Sequence, residues 1–223
     1  MTELAVAAPL AEPTRLAEPS RRERRKAQTR RQLLDAARAL FVKRGYDATR
    51  PQDIARAADV AVGTFYLHFA DKRAVFLAFT DEAAQQLMER VRARAPGAHD
   101  FAEGLLRSLE AIIEYSEAHP GVLAAAFADA AVLAAGVPDG SSLRDRLAQS
   151  LAQALRDGML RGELRSDYDP AVIAHGIVGL VQQGLRFGTH GGVDRRVLLD
   201  NLVRFCARAL VTPSRVAHEE NAP

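Results

Sequence analysis

A chain of 223 residues with 48% hydrophobic content has ample material for a core, enough for one small domain plus a larger one or for a single elongated helical body. Aromatic residues make up only 6%, Trp is absent, and Ala, Leu and Arg abound, so helices are expected throughout and the predicted fold class is all-α. The formal net charge is only +2, no apolar run reaches the roughly 18 residues of a membrane span, and no cationic start leads into a long apolar stretch as in a signal peptide, so a cytoplasmic protein is expected.

The charge is unevenly placed. Residues 1–73 hold 15 of the 30 Lys and Arg but 9 of the 28 Asp and Glu, which puts positive potential on the N-terminal end. Pro9, Pro13 and Pro19 stand among Ala, Glu and Leu without periodicity, and residues 1–25 read as a disordered, basic-ended tail. Residues 21–31, RRERRKAQTRR, carry seven basic side chains and one acidic one; such a run is usually a solvated face, and here it also leads into a candidate DNA-binding unit.

Leu33, Leu34, Ala37, Leu40 and Phe41 form the stripe of a first helix, stopped at Gly45. A second helix opens at Pro51 with Asp53 near its positive end and buries Ile54, Ala55 and Ala58. Asp59, Val60 and Ala61 suffice for a tight turn. The third helix, residues 62–69, sets Phe65 and Phe69 four apart on its inner face and exposes Gly63, Thr64, Tyr66 and Leu67 on the other. Such a surface suits a groove edged by phosphates better than burial. Asp71 caps a long fourth helix that ends at Pro96-Gly97.

A fifth helix spans residues 100–119, and a sixth, Ala-rich one is expected over residues 122–135, stopping at Gly136-Val137-Pro138. Ser142 caps a seventh with Leu143, Leu147, Leu151, Leu155 and Leu160 on its stripe, ending at Gly162. Asp169 and Pro170 start an eighth, residues 170–187, followed by a loop over 188–192. A ninth runs over residues 194–210, and the tail after residue 212 reads as disordered.

The second and third helices with their surroundings resemble the tetracycline-repressor (TetR) family of bacterial transcription regulators. The matching residues are Thr29-Arg30, residues 33–37 (LLDAA), Leu40-Phe41, Gly45-Tyr46, Ala48-Thr49, Asp53-Ile54-Ala55, Val60, Gly63-Thr64, Tyr66, His68-Phe69 and Asp71-Lys72. The sequence departs from the family at Arg50, where a capping Ser or Thr is usual, at Ala61, often Ser, and at Val62, often polar or basic.

The resemblance implies a helix-turn-helix DNA-binding domain over residues 26–72, a ligand-binding and dimerisation domain over residues 73–211, and a tail over 212–223. It places Gln52, Val62, Gly63, Thr64 and Leu67 at base-facing positions, and Tyr66, His68 and Lys72 at positions that grip the DNA backbone. Arg30, Thr49 and Arg50 complete the expected DNA-contacting set.

The family houses a small-molecule pocket in the larger domain. Its expected lining here is Phe79, Phe101, Leu105, Ile112, Phe127 and Val178, with Tyr115, His175 and Gln182 as polar candidates; each has core packing as its bland alternative. Little fixed charge among them points to an apolar or weakly polar ligand. The family dimerises through its last two long helices as a four-helix bundle. That assigns Ile173, Gly176, Gly179, Leu180, Gln183 and Gly184 of the eighth helix, and Leu198, Leu202 and Phe205 of the ninth, to a homodimer interface, with intrachain packing as the alternative.

There is no phosphate-binding Gly loop, Cys pair or His-Glu-x-x-His, and the six histidines stand at no ligand spacing, so neither an enzyme nor a metal or other cofactor is expected. Cys206, the lone cysteine, falls in an apolar helical stretch and reads as a buried small hydrophobe, with a redox sensor as the alternative. The reading that results is a homodimeric repressor of operator DNA released by a small ligand. An activator or ligand-independent regulator on the same scaffold, and a nonspecific architectural DNA-binding protein, stand as alternatives.

Overall fold

The computed structural model describes residues 20–94, 96–128 and 142–212. These form nine helices: α1 (Arg21–Arg44), α2 (Pro51–Ala57), α3 (Val62–His68), α4 (Lys72–Arg94), α5 (Phe101–Ala118), α6 (Val122–Ala128), α7 (Leu143–Leu160), α8 (Pro170–Gly191) and α9 (Arg195–Leu210). The only extended pairing among the described residues is an isolated antiparallel bridge of Leu164 with Val211, which pins the α7–α8 loop to the end of α9. The fold is all-α, as the composition implied.

Local chemistry sets most helix ends. The side chains of Asp100, Ser142, Asp169 and Asp194 each accept from backbone N–H groups in the first turn of α5, α7, α8 and α9. Asp71 accepts from the Ala74 N–H over 2.7 Å at the start of α4. Arg50 and Ala61, by contrast, offer α2 and α3 no side-chain cap. Asp59 in the turn between them has φ of 54°, a left-handed value that few residues other than Gly, Asn and Asp accept.

Two apolar clusters hold the helices together. The first joins Leu33, Phe41, Ile54 and Phe65 of α1–α3 to Val75, Phe76 and Phe79 of α4, and continues to Tyr115 and Val122. The second packs Leu109 of α5, Leu155 of α7, Ile177 and Val181 of α8 and Leu202 of α9. The α4 helix passes from the first three helices into the body of the larger unit.

Four expectations are corrected. Residues 21–25 are helix rather than tail, because Ser20 and Glu23 close a capping box that starts α1 at Arg21. The eighth helix runs through the expected loop to Gly191: at Gly188 a Cβ would stand 2.7 Å from Leu198 Cδ2, so the glycine admits α9 instead of breaking α8. Leu160, placed on the buried stripe of α7, is 87% exposed at the helix end. Gly184, half-buried, opens space for Leu202 of its own chain, 3.1 Å from a would-be Cβ, so the two make an intrachain contact and Leu202 is core. The second half of the expected sixth helix, its Gly-Val-Pro stop and both expected tails before residue 20 and after 212 lie outside the described residues.

Candidate nucleic-acid interface and ligand cavity

Phe65 is fully buried and Phe69 nearly so, their rings 5.9 Å apart, and together they seat α3 on the first three-helix core. The opposite face is open. Val62 is 39%, Tyr66 50% and Leu67 78% exposed; Gln52 and Gly63 are exposed too, and Thr64 is half-buried. No atom lies within 4 Å of a Cβ built on Gly63, so this surface can approach a flat or concave partner closely. Asp53 at the start of α2 is taken by Arg44 at 2.6 Å, which removes a carboxylate that would otherwise repel phosphates.

Three members of the expected DNA set have structural work instead of, or besides, an open surface. Thr49 is fully buried and donates to the Gly45 carbonyl over 2.8 Å, so it shapes the α1–α2 turn and cannot touch DNA. Lys72 donates to the Tyr46 carbonyl at 3.0 Å and stands 4.0 Å over the Tyr46 ring. Arg30 lies 4.9 Å over the Phe69 ring while remaining exposed. Arg50 is exposed.

Beside α3, the first turns of α1 form a wall. Arg22, Arg25, Lys26, Gln28, Thr29 and Gln32 face Leu67 and His68 across a groove. Burial, then Lys26 and Arg30, push the His68 imidazole below its usual pKa, and its Nδ1 is buried without a hydrogen-bond partner among the described residues. The helical wall was missed in the sequence, although the Ser20-x-x-Glu23 signature marked it.

The larger unit encloses a cavity of about 490 Å³. Of the expected lining, Phe101, Leu105, Ile112, Phe127, Val178 and Gln182 meet there. Phe79 does not, because it belongs to the core against α1. Tyr115 is buried away from the cavity, its hydroxyl donating to Gln86 Oε1 at 3.3 Å, and burial raises its pKa. His175 is exposed on α8, with Nδ1 2.8 Å from the Ala171 carbonyl. Residues not foreseen include Met88, Leu147, Leu151 and Val181, and a charged end made by Arg92, His99, Asp100, Arg161 and Glu163. Arg161 and Glu163 neutralise one another at 3.1 Å.

Of the expected dimer residues, Gly176, Gly179, Leu180, Gln183 and Phe205 are exposed, Ile173 and Leu198 half-buried, and Leu202 buried. Val172, Phe187 and Val197 are large exposed apolar neighbours on the same two helices. Cys206 is 3% exposed and burial pushes its thiol pKa up, which disfavours the reactive thiolate. Among the described residues no cluster of His, Cys, Asp and Glu could hold a metal ion, and no helix is long and apolar enough to cross a membrane.

Two short helices at a tight turn, an open face flanked by cations and a helical body with a cavity make up a helix-turn-helix unit joined to a larger helical domain. Residues 33–79, the helix-turn-helix unit with the start of α4, match the family model described as bacterial regulatory proteins, tetR family. No curated protein matches it. Solved structures of the same fold include a TetR-family regulator from Shewanella sp. PV-4 (TM-score 0.67, 20% identity, covering 82% of this chain and 98% of that one). Others are a gamma-butyrolactone receptor, ArpA-like (0.64, 22%, 86% and 92%), and the fatty acid degradation regulator FadR from Bacillus halodurans (0.66, 21%, 79% and 93%). At these identities the likeness establishes the fold.

Proposed function

We propose that the chain is a homodimeric repressor whose two reading heads bind inverted half-sites on operator DNA in the cytoplasm and are released when a small molecule enters the cavity. The observation that carries this reading is the span of α4. Its first turns bury Val75, Phe76 and Phe79 in the core that seats α3, while Met88, Val91 and Arg92 near its other end line the cavity. A ligand that favours one tilt of this helix changes the separation of the two heads, and operator affinity falls by the difference in its affinity for the two states. A second contact runs alongside: Gly121, after α5, fits against Val42 of α1, and a Cβ there would come within 2.7 Å of Val42 Cγ1.

Dimerisation is supported by the exposed stripe of Val172, Gly176, Gly179, Leu180, Gln183 and Phe187 on α8, joined by Val197 and Phe205 of α9. Its helical spacing leaves a largely apolar face uncovered by the described residues, as a self-complementary two-fold interface requires. A neighbour of the same fold is a gamma-butyrolactone receptor, which supports a ligand-receiving role for the cavity.

Base reading follows from the exposed side chains. Gln pairs well with adenine, and Val or Leu packs on a thymine methyl. Half-sites are expected to favour A·T where Gln52 and Val62 face them. Binding selection from randomised duplexes tests both levels: wild type should return two inverted half-sites, and Gln52→Ala and Val62→Ala should each relax one A·T position. A G·C consensus at those positions, unchanged by either substitution, defeats the readout assignment, and recovery of no consensus defeats the regulator reading in favour of an architectural protein.

A further inference from the structure

The cavity has two unlike ends. At one, the cations Arg92 and Arg161 are offset by Asp100 and Glu163, so the lining carries no net fixed charge there. The other is walled by Ile112, Phe127, Leu147 and Val178, and among them Gln182 is the one amide of the lining. By helix rise it stands roughly 18 Å along α8 from Pro170.

Gln182 is held from behind. Arg144 of α7 donates through Nη2 to Gln182 Oε1 at 3.0 Å, and Arg144 Nε is buried with no hydrogen-bond partner among the described residues. Arg144 is not part of the cavity wall and pairs with no carboxylate among the described residues. Its bond commits the amide oxygen and so fixes which way the group is turned, leaving the Gln182 NH₂ as the donor available to a cavity occupant. A neighbouring guanidinium also polarises the amide and strengthens that donor.

On the reading of this cavity as the ligand site, we infer that the ligand is an uncharged, largely apolar molecule whose carbonyl oxygen accepts a hydrogen bond from Gln182 Nε2. Arg144 is the positioning residue for that bond. A carboxylate is disfavoured at this end because no cation among the described residues reaches the cavity there, and an ion buried among Ile112, Phe127 and Val178 loses its hydration without a direct counter-charge.

The test uses three probes on the full chain, each displacing the neutral dye N-phenyl-1-naphthylamine: 2-octanone, 2-methyl-1-octene, in which CH₂ replaces the carbonyl oxygen, and octanoate. The alkene leaves water more readily, so the informative quantity is the ratio of ketone to alkene affinity in wild type and in variants. Removing the donor in Gln182→Leu should lower that ratio about tenfold, while alkene affinity changes little. Gln182→Met is a second variant should the first misfold. Arg144→Met should lower the ratio by a smaller factor. A ratio unchanged within about twofold in both Gln182 variants overturns the inference and leaves the cavity reading standing. Octanoate binding more tightly than 2-octanone in wild type overturns the uncharged class. If neither neutral probe displaces the dye, the cavity reading and the inference fall together.

Discussion

Arg31 Nη1 of α1 donates to Glu82 Oε1 of α4 across 2.8 Å, and Arg38 Nη2, two turns further along α1, stands 3.4 Å from the other oxygen of the same carboxylate. One acid thus ties two points of the reading head's supporting helix to α4. The chain of contacts continues inward, since Gln86 donates to Glu82 Oε1 and accepts from the Tyr115 hydroxyl of α5. On the other flank Arg146 of α7 pairs with Asp81.

Glu82→Gln should loosen this junction. Arg31 is largely exposed, but the side chains of Arg38 and Glu82 are only 21% and 17% exposed, so the variant leaves Arg38 short of its counter-charge away from bulk water. A cost of roughly 1–3 kcal/mol is expected, between the values for exposed and fully buried pairs. Urea denaturation measures it, and an unchanged midpoint would show that the pair does not brace the fold.

The helical wall of α1 should act through charge. Replacing Arg22, Arg25 and Lys26 together by Ala should weaken operator and random DNA alike, and reduce the slope of log affinity against log salt by up to about 3, near 0.9 for each lost phosphate contact. An unaltered slope would mean that this wall does not reach the phosphates.

His68 should make the reading head sensitive to mild acid. Its folded-state pKa lies below the ordinary 6.5 because of burial and the cations of Lys26 and Arg30. Above the unfolded value both states are neutral and the contribution is fully present. As pH falls below about 6.5 the unfolded chain takes up the proton first, so stability is lost toward the lower folded value. Thermal melts of wild type and His68→Gln between pH 5 and pH 7.5 should converge at the top of the range and separate at the bottom, with the variant less pH-sensitive. Parallel curves would remove the imidazole from the account.

Two glycines of α8 should part company. Beyond its own helical turn no atom of the described residues lies within 4 Å of a Cβ built on Gly179, whereas Gly184 faces Leu202. Gly179→Leu should therefore yield a folded monomer at micromolar concentration, and Gly184→Leu should overpack α9 at a cost of about 1–3 kcal/mol. Sedimentation together with melting temperature separates the two effects; a Gly179→Leu protein that stays dimeric at wild-type affinity would place the interface elsewhere.

The sequence by itself determined most helix starts and the helix-turn-helix pattern. Helix starts were legible at Asp71, Ser142 and Asp169 because a cap is a short-range bond between a side chain and amides two or three residues on. The inner and outer faces of α3 were legible too, since Phe65 and Phe69 repeat at one helical turn while Tyr66 and Leu67 fall opposite. The tertiary structure alone decided which apolar residues share a space. Phe79 and Phe101 look alike as members of a helical stripe, yet one closes the core against α1 and the other lines the cavity. Gly179 and Gly184 are the same residue on one helix, and only the path of α9 makes the second an intrachain contact. Thr49 was assigned to DNA by its position in the motif, and its burial beneath the α1–α2 turn shows a hydroxyl spent on Gly45. The Arg144–Gln182 pair, 38 positions apart, exists only because α7 and α8 pack side by side, a long-range juxtaposition that no local periodicity encodes.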